Sequence, residues 1–172
     1  TTVALAALWG LWSHPWGDLV TGSPPDWLFP VGSPLLESRV VLHPDPTLHL
    51  LGAFAVELAT IAFAIAVVYR VSDRSILASV DRRAAVGAVY GVAALAVTPP
   101  TLEVSYHFVF SILGVGLLCG VVQDPDWLTP FDTRDRWLPS REAILETALT
   151  TVAAVAIALA AYATVYLLVV PA

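Results

Sequence analysis

The chain has 172 residues, of which 58% are hydrophobic and 13% charged, whereas a soluble domain carries about 25% charge. That balance excludes an ordinary soluble domain and makes the protein integral to a membrane. All eight basic residues are arginine and fourteen acids leave a net charge of −6. With no basic patch to neutralise phosphates, nucleic-acid binding is not expected.

The first residue is Thr1 and the chain holds no methionine, so it reads as the C-terminal part of something longer. The apolar run 1–12 is too short to span a bilayer and reads as the second half of a helix whose start is missing. It lacks the basic n-region and small-residue cleavage site of a signal peptide. The lysine-free, Ala/Val-rich acidic composition resembles that of halophilic, archaeon-like proteins.

Where this run ends, Ser13-His14-Pro15-Trp16-Gly17-Asp18 places a histidine and an aspartate four residues apart. On a helix that spacing stacks both side chains on one face, where a single ion could touch them. Pro15 bends a continuous helix at this point, or opens a fresh turn as its first residue. The stretch 15–47 follows, with prolines at 15, 24, 25, 30, 34, 44 and 46. It is predicted to be an ordered loop outside the hydrocarbon, with Trp16, Trp27 and Phe29 at the membrane interface.

A span is predicted over 48–69, carrying His49 near its mouth and Glu57 within it. The charged loop after it holds Arg70, Arg74, Arg82 and Arg83. A third apolar run, 84–97, is barely long enough to cross and stops at Pro99-Pro100. The fourth run, 104–122, has Glu103 and His107 at its start and the unpaired Cys119 inside, which can form no disulfide within the chain. A second charged loop with Arg134 and Arg136 leads to Ser140, the predicted N-cap of the last span, with Glu142 favouring the positive helix end. Residues 147–170 carry no charge, long enough to cross a core of roughly 30 Å. The predicted fold is therefore all-α: one polytopic transmembrane helical bundle over 1–172, of about four full spans plus the truncated N-terminal helix. Both arginine-bearing loops fall in the cytoplasm by the positive-inside rule, which places 15–47 outside the cell.

Zinc chemistry needs neutral imidazoles and ionised carboxylates converging from several parts of a chain, commonly three ligands and an open position. His14 and Asp18 supply one nitrogen and one oxygen. His43, Asp45 and His49, just before or at the mouth of the 48–69 span, are the candidates to complete them. Glu57 is a second candidate, because a carboxylate inside a span must be protonated, paired or facing water. No Gly-x-Ser-x-Gly elbow and no glycine-rich phosphate loop is present.

The segment Ser13-His14-x-x-x-Asp18-x-x-Thr21, followed by Leu28-Phe29-Pro30, resembles the membrane-bound metal-dependent hydrolases of the YdjM-like, LexA-regulated family. The resemblance covers about twenty residues, and Pro15 and Gly17 stand where that family usually has leucines. It implies a divalent metal, zinc by analogy, held by His14 and Asp18, with further ligands from an earlier segment. A distant likeness of that family to zinc-dependent phospholipase C and P1-type nucleases implies phosphoester chemistry on a small-molecule or lipid-like substrate. Two other readings stand beside it: a transporter or proton-coupled protein built on Glu57, and a non-catalytic membrane subunit. Whether the protein self-associates is not written in the sequence.

Overall fold

The computed structural model describes residues 8, 17–22, 26, 30–32, 36–122 and 140–169, and every regular element among them is helical. These elements are α1 Pro46–Val71, α2 Ile76–Ser79, α3 Val86–Ala93, α4 Tyr106–Val121 and α5 Arg141–Val169. Short 3-10 turns lie at Arg82–Ala85, Ala94–Ala96 and Leu102–Val104, and a single helical turn covers 17–21.

Local chemistry sets the ends of the two long helices. Asp45 caps α1, its Oδ1 accepting from the Leu48 N–H at 2.8 Å. Pro46 follows at a position where a missing N–H costs nothing. The helix ends at Val71 with Ser72 as its C-cap; Asp73 then takes a left-handed φ of 53° and the Arg74 N–H reaches back to the Tyr69 carbonyl at 3.0 Å. Ser140 caps α5 as the sequence predicts, accepting from the Ala143 N–H at 3.1 Å, with Glu142 in the first turn.

The remaining elements gather around α5, which packs against α1, α3 and α4. Two glycine pairs, Gly87/Gly91 on α3 and Gly116/Gly120 on α4, bring backbone against backbone. A Cβ on Gly87 or Gly91 would collide with the carbonyl oxygen of Ala154 or Ala158. One on Gly120 would sit 2.6 Å from the Thr147 carbonyl oxygen. This is the small-x-x-x-small packing by which helices associate where no hydrophobic force separates helix from solvent. The same pairs fix direction: α3 runs parallel to α5, and α4 runs antiparallel to it.

The largest buried cluster includes Leu51, Phe54 and Leu58 of α1, Phe108 and Ile112 of α4, and Leu159 and Tyr162 of α5. Phe108 meets Tyr162 edge-on at 4.8 Å, a favoured aromatic geometry. At one end of the bundle Tyr166, near the finish of α5, donates its hydroxyl to Asp45 Oδ2 at 3.1 Å, so α1 and α5 are antiparallel. At the other end Arg74 pairs with Glu142, Arg83 Nη1 donates to the Val122 carbonyl at 2.6 Å, and the Asp81 N–H donates to Thr150 Oγ1 at 3.2 Å. Asp18, His43, Asp45 and His49 thus lie at the Tyr166 end, with Arg39 nearby, while Arg70, Arg74, Arg82, Arg83 and Arg141 gather at the opposite end among Asp73, Asp81, Glu142 and Glu146. Arg134 and Arg136 lie outside the described residues.

Among the described residues, α1 and α5 alone are long and apolar enough to cross a membrane. The expectation of about four full spans is not met by the other helices. The third apolar run is α-helical only to Ala93 and continues as a 3-10 turn to Ala96. Eleven residues at 1.5–2.0 Å reach roughly 20 Å, short of the 30 Å core. The apolar helix α4 has 16 residues and is also below span length. Hydropathy counts apolar residues; it does not see where the helix stops. The outer faces remain apolar, with Phe63 and Val89 71% exposed and Phe110 73% exposed.

Candidate functional site

The helical turn 17–21 carries Asp18. Within it the Thr21 hydroxyl donates to the Gly17 carbonyl at 3.0 Å, and the Gly22 N–H donates to the Asp18 carbonyl at 3.0 Å. Asp18 is half-buried. Two bonds from distant residues hold the turn in place: the Val40 N–H reaches the Leu19 carbonyl at 2.7 Å, and His49 Nε2 meets the Val20 carbonyl at 3.1 Å. The sequence could suggest that 15–47 is ordered but not what it rests on. The structure places its Asp18 turn on the first turn of α1.

His14, the partner expected for Asp18, lies outside the described residues, together with Ser13, Pro15, Trp16, Trp27, Leu28 and Phe29. The three candidates for completing the ligand set are described, and each has backbone or side-chain partners. His49 is buried at 3% exposure, and its Nδ1 accepts from the Leu42 N–H at 3.1 Å. That bond requires the lone pair on Nδ1, so the neutral ring carries its proton on Nε2 and donates it to Val20. His43 is exposed, and its Nδ1 accepts from the Asp45 N–H at 3.0 Å, which fixes the same tautomer.

Asp45 uses both oxygens, one on the α1 cap and one on Tyr166. The Leu48 N–H is the main reason its carboxyl sits below the ordinary value. The Tyr166 hydroxyl, the Thr47 N–H and the nearby His43 add to the shift, and desolvation opposes it. Among the described residues no group of three or more His, Cys, Asp and Glu side chains is placed to hold a metal ion. Asp18 fits as a single hard oxygen donor, and the described residues do not complete a set around it.

Glu57 is exposed on α1, eleven residues past Pro46 and so about 16 Å along the helix. Glu103 and His107, expected at an interface, are both exposed near the start of α4. Sequence reasoning missed Tyr166, which is 121 residues from the Asp45 it bonds. It also missed the two glycine pairs, although their four-residue spacing was legible.

A further feature needed the structure. Between α1 and α5 runs an apolar groove of about 510 Å³, walled by Leu48, Gly52, Ala55, Ala59 and Ala62 on one side and Ala156, Ala160 and Ala163 on the other. Every lining side chain is apolar. Its Leu48 end lies one helical turn from Asp45.

No protein-family model matches the chain, and comparisons with curated proteins and with solved structures return no significant match.

Proposed function

We propose that the chain belongs to a multi-pass, metal-dependent hydrolase of the cell membrane, acting at the outer face on a lipid-like phosphoester. The observation that carries this reading is the Ser13-His14-x-x-x-Asp18-x-x-Thr21 pattern, whose described part, the Asp18 turn, is anchored at the end of the bundle that holds Asp45 and His49. His14 and Asp18 would hold a divalent cation, zinc by resemblance, with other parts of the full-length protein supplying further ligands. Such an ion supplies Lewis-acid activation of water and of a phosphoryl group.

The chain's own residues prepare the place. Asp45 ties the start of α1 to the end of α5, and the first turn of α1 carries the Asp18 turn. The arginines at the far end favour a cytoplasmic side there, which leaves the Asp18 end outside. The groove between α1 and α5 suits an acyl tail whose polar head lies near Asp45, so a lipid-like substrate is favoured over a small soluble one.

Metal analysis of purified full-length protein tests the reading. It requires a divalent metal in the wild type, lost on His14→Ala and on Asp18→Ala. Full stoichiometry in His14→Ala rules it out.

A second reading rests on Glu57, an exposed carboxylate within α1, as the working group of a transporter or proton-coupled protein. Transport that survives His14→Ala and fails in Glu57→Gln would favour it.

A further inference from the structure

We infer that His49 is a positioning residue for Asp18 and not a metal ligand. The inference rests on the reading of Asp18 as a ligand, and its test separates the two. Three bonds form one connected unit: Val40 N–H to Leu19 C=O at 2.7 Å, Leu42 N–H to His49 Nδ1 at 3.1 Å, and the ring Nε2–H of His49 to Val20 C=O at 3.1 Å. The imidazole is the hinge pin of this unit. It joins the irregular stretch 40–42 to the Asp18 turn from a seat in the first turn of α1.

The seat itself is fixed. Asp45 caps α1 and accepts from Tyr166, so the first turn of α1 is referenced to α5. Asp18 lies two residues before the carbonyl that His49 grips. A shift of the ring therefore carries to the carboxylate through one turn of backbone.

Ligation by His49 would need a free lone pair on one ring nitrogen. Nδ1 spends its lone pair on Leu42, and Nε2 carries the proton given to Val20. Turning the ring toward an ion would leave the Leu42 N–H and the Val20 carbonyl without these partners, in a setting where His49 is buried. Groups outside the ligand sphere that orient a ligand change metal affinity without touching the ion. His49 is placed to act in that way.

Two isosteric variants separate this role from ligation. In His49→Gln the side-chain amide N–H reaches the Nε2 position and keeps the bond to Val20. In His49→Asn the amide oxygen takes the Nδ1 position, keeps the bond to Leu42 and falls short of Val20. Zn²⁺ alone is titrated into full-length protein against a competing chelator. The expected affinity for His49→Gln stays near wild type, whereas His49→Asn and His49→Ala fall by about 10–100-fold, the range for orienting partners. Equal losses in His49→Gln and His49→Ala would make His49 a ligand and overturn the inference.

Hydrogen exchange over 17–22 and 40–42, measured without added metal, gives an independent readout. It is expected to quicken in His49→Asn and His49→Ala and to stay near wild type in His49→Gln. Unchanged exchange in all three variants overturns the inference. A wild type that binds no Zn²⁺ but shows this exchange order removes the hydrolase reading and leaves the strut. Should His49→Gln fail to fold, Leu42→Pro removes the N–H that fixes the ring while leaving the imidazole intact. With the Nε2 bond to Val20 kept, as in His49→Gln, its Zn²⁺ affinity is expected to stay near wild type; a loss as large as in His49→Ala, or a gain from freeing the Nδ1 lone pair, contradicts the inference.

Discussion

The two sides of α5 are built in opposite ways. Toward α3 and α4 it presents Ala154, Ala158, Thr147 and Thr151 to paired glycines, and backbones meet with no room for a side chain. Toward α1 it leaves an alanine-walled groove of about 510 Å³. Small residues line both sides, so residue size alone does not decide whether helices close or stay apart. On the closed side each glycine sits opposite a partner's backbone. On the open side larger residues hold the helices apart, Leu48, Leu51 and Leu58 of α1 facing Val152 and Leu159 of α5, and Asp45 and Tyr166 tie the polar end. One face is scaffold, and the other is a cleft beside the candidate site.

Substitutions at matched positions would break that contrast most sharply. Gly91→Leu drives a side chain into the Ala158 carbonyl, which cannot move aside, and is expected to cost about 3 kcal/mol or more, the upper range for overpacking. Ala160→Leu adds the same kind of bulk to the open groove and is expected to change stability by no more than about 0.5 kcal/mol. Unfolding of both variants in mixed micelles checks this. Similar losses in the two would erase the distinction between the faces.

The tie at the polar end comes next. Asp45→Ala removes a helix cap and the acceptor of the Tyr166 hydroxyl, an expected loss of about 2 kcal/mol. Tyr166→Phe removes the second bond alone, an expected loss of about 1 kcal/mol. Because the folded-state pKa of Asp45 is lowered, its contribution is fully present above the ordinary carboxylate range and is lost as pH falls through the folded value. Thermal midpoints recorded as pH falls below roughly 4 should therefore drop more steeply in wild type than in Asp45→Asn. Parallel curves would show that the charge on Asp45 contributes nothing. The smallest effect on stability belongs to the groove. Ala59→Trp, which fills it, is expected to leave the fold intact and reduce labelling of α1 and α5 by a phospholipid with a photoactivatable acyl chain. Undiminished labelling would place lipid elsewhere.

The sequence made the helical class legible through its long apolar runs, and Ser140 with Glu142 announced the start of α5. The count of crossings was less legible. Residues 84–97 are apolar enough for a span, but their glycines commit them to α5 and the α-helix ends at Ala93. Of the candidate site, spacing pointed to Asp18 as a candidate, whereas the bonds that occupy His43, Asp45 and His49 could not be read from it. A histidine near an aspartate reads alike whether its nitrogens face an ion or backbone N–H and C=O groups. The bonds that separate the two cases, His49 to Val20 and Asp45 to Tyr166, span 29 and 121 residues. Only the folded chain brings those partners together.

The central proposal is that His14 and Asp18 hold a metal ion. Its most direct test is the metal content of purified full-length protein, wild type beside His14→Ala and Asp18→Ala, each checked for an intact fold by its unfolding midpoint. The expected result is stoichiometric divalent metal in the wild type and little in either folded variant. Metal retained in full by both variants, or none in the wild type, would contradict the claim.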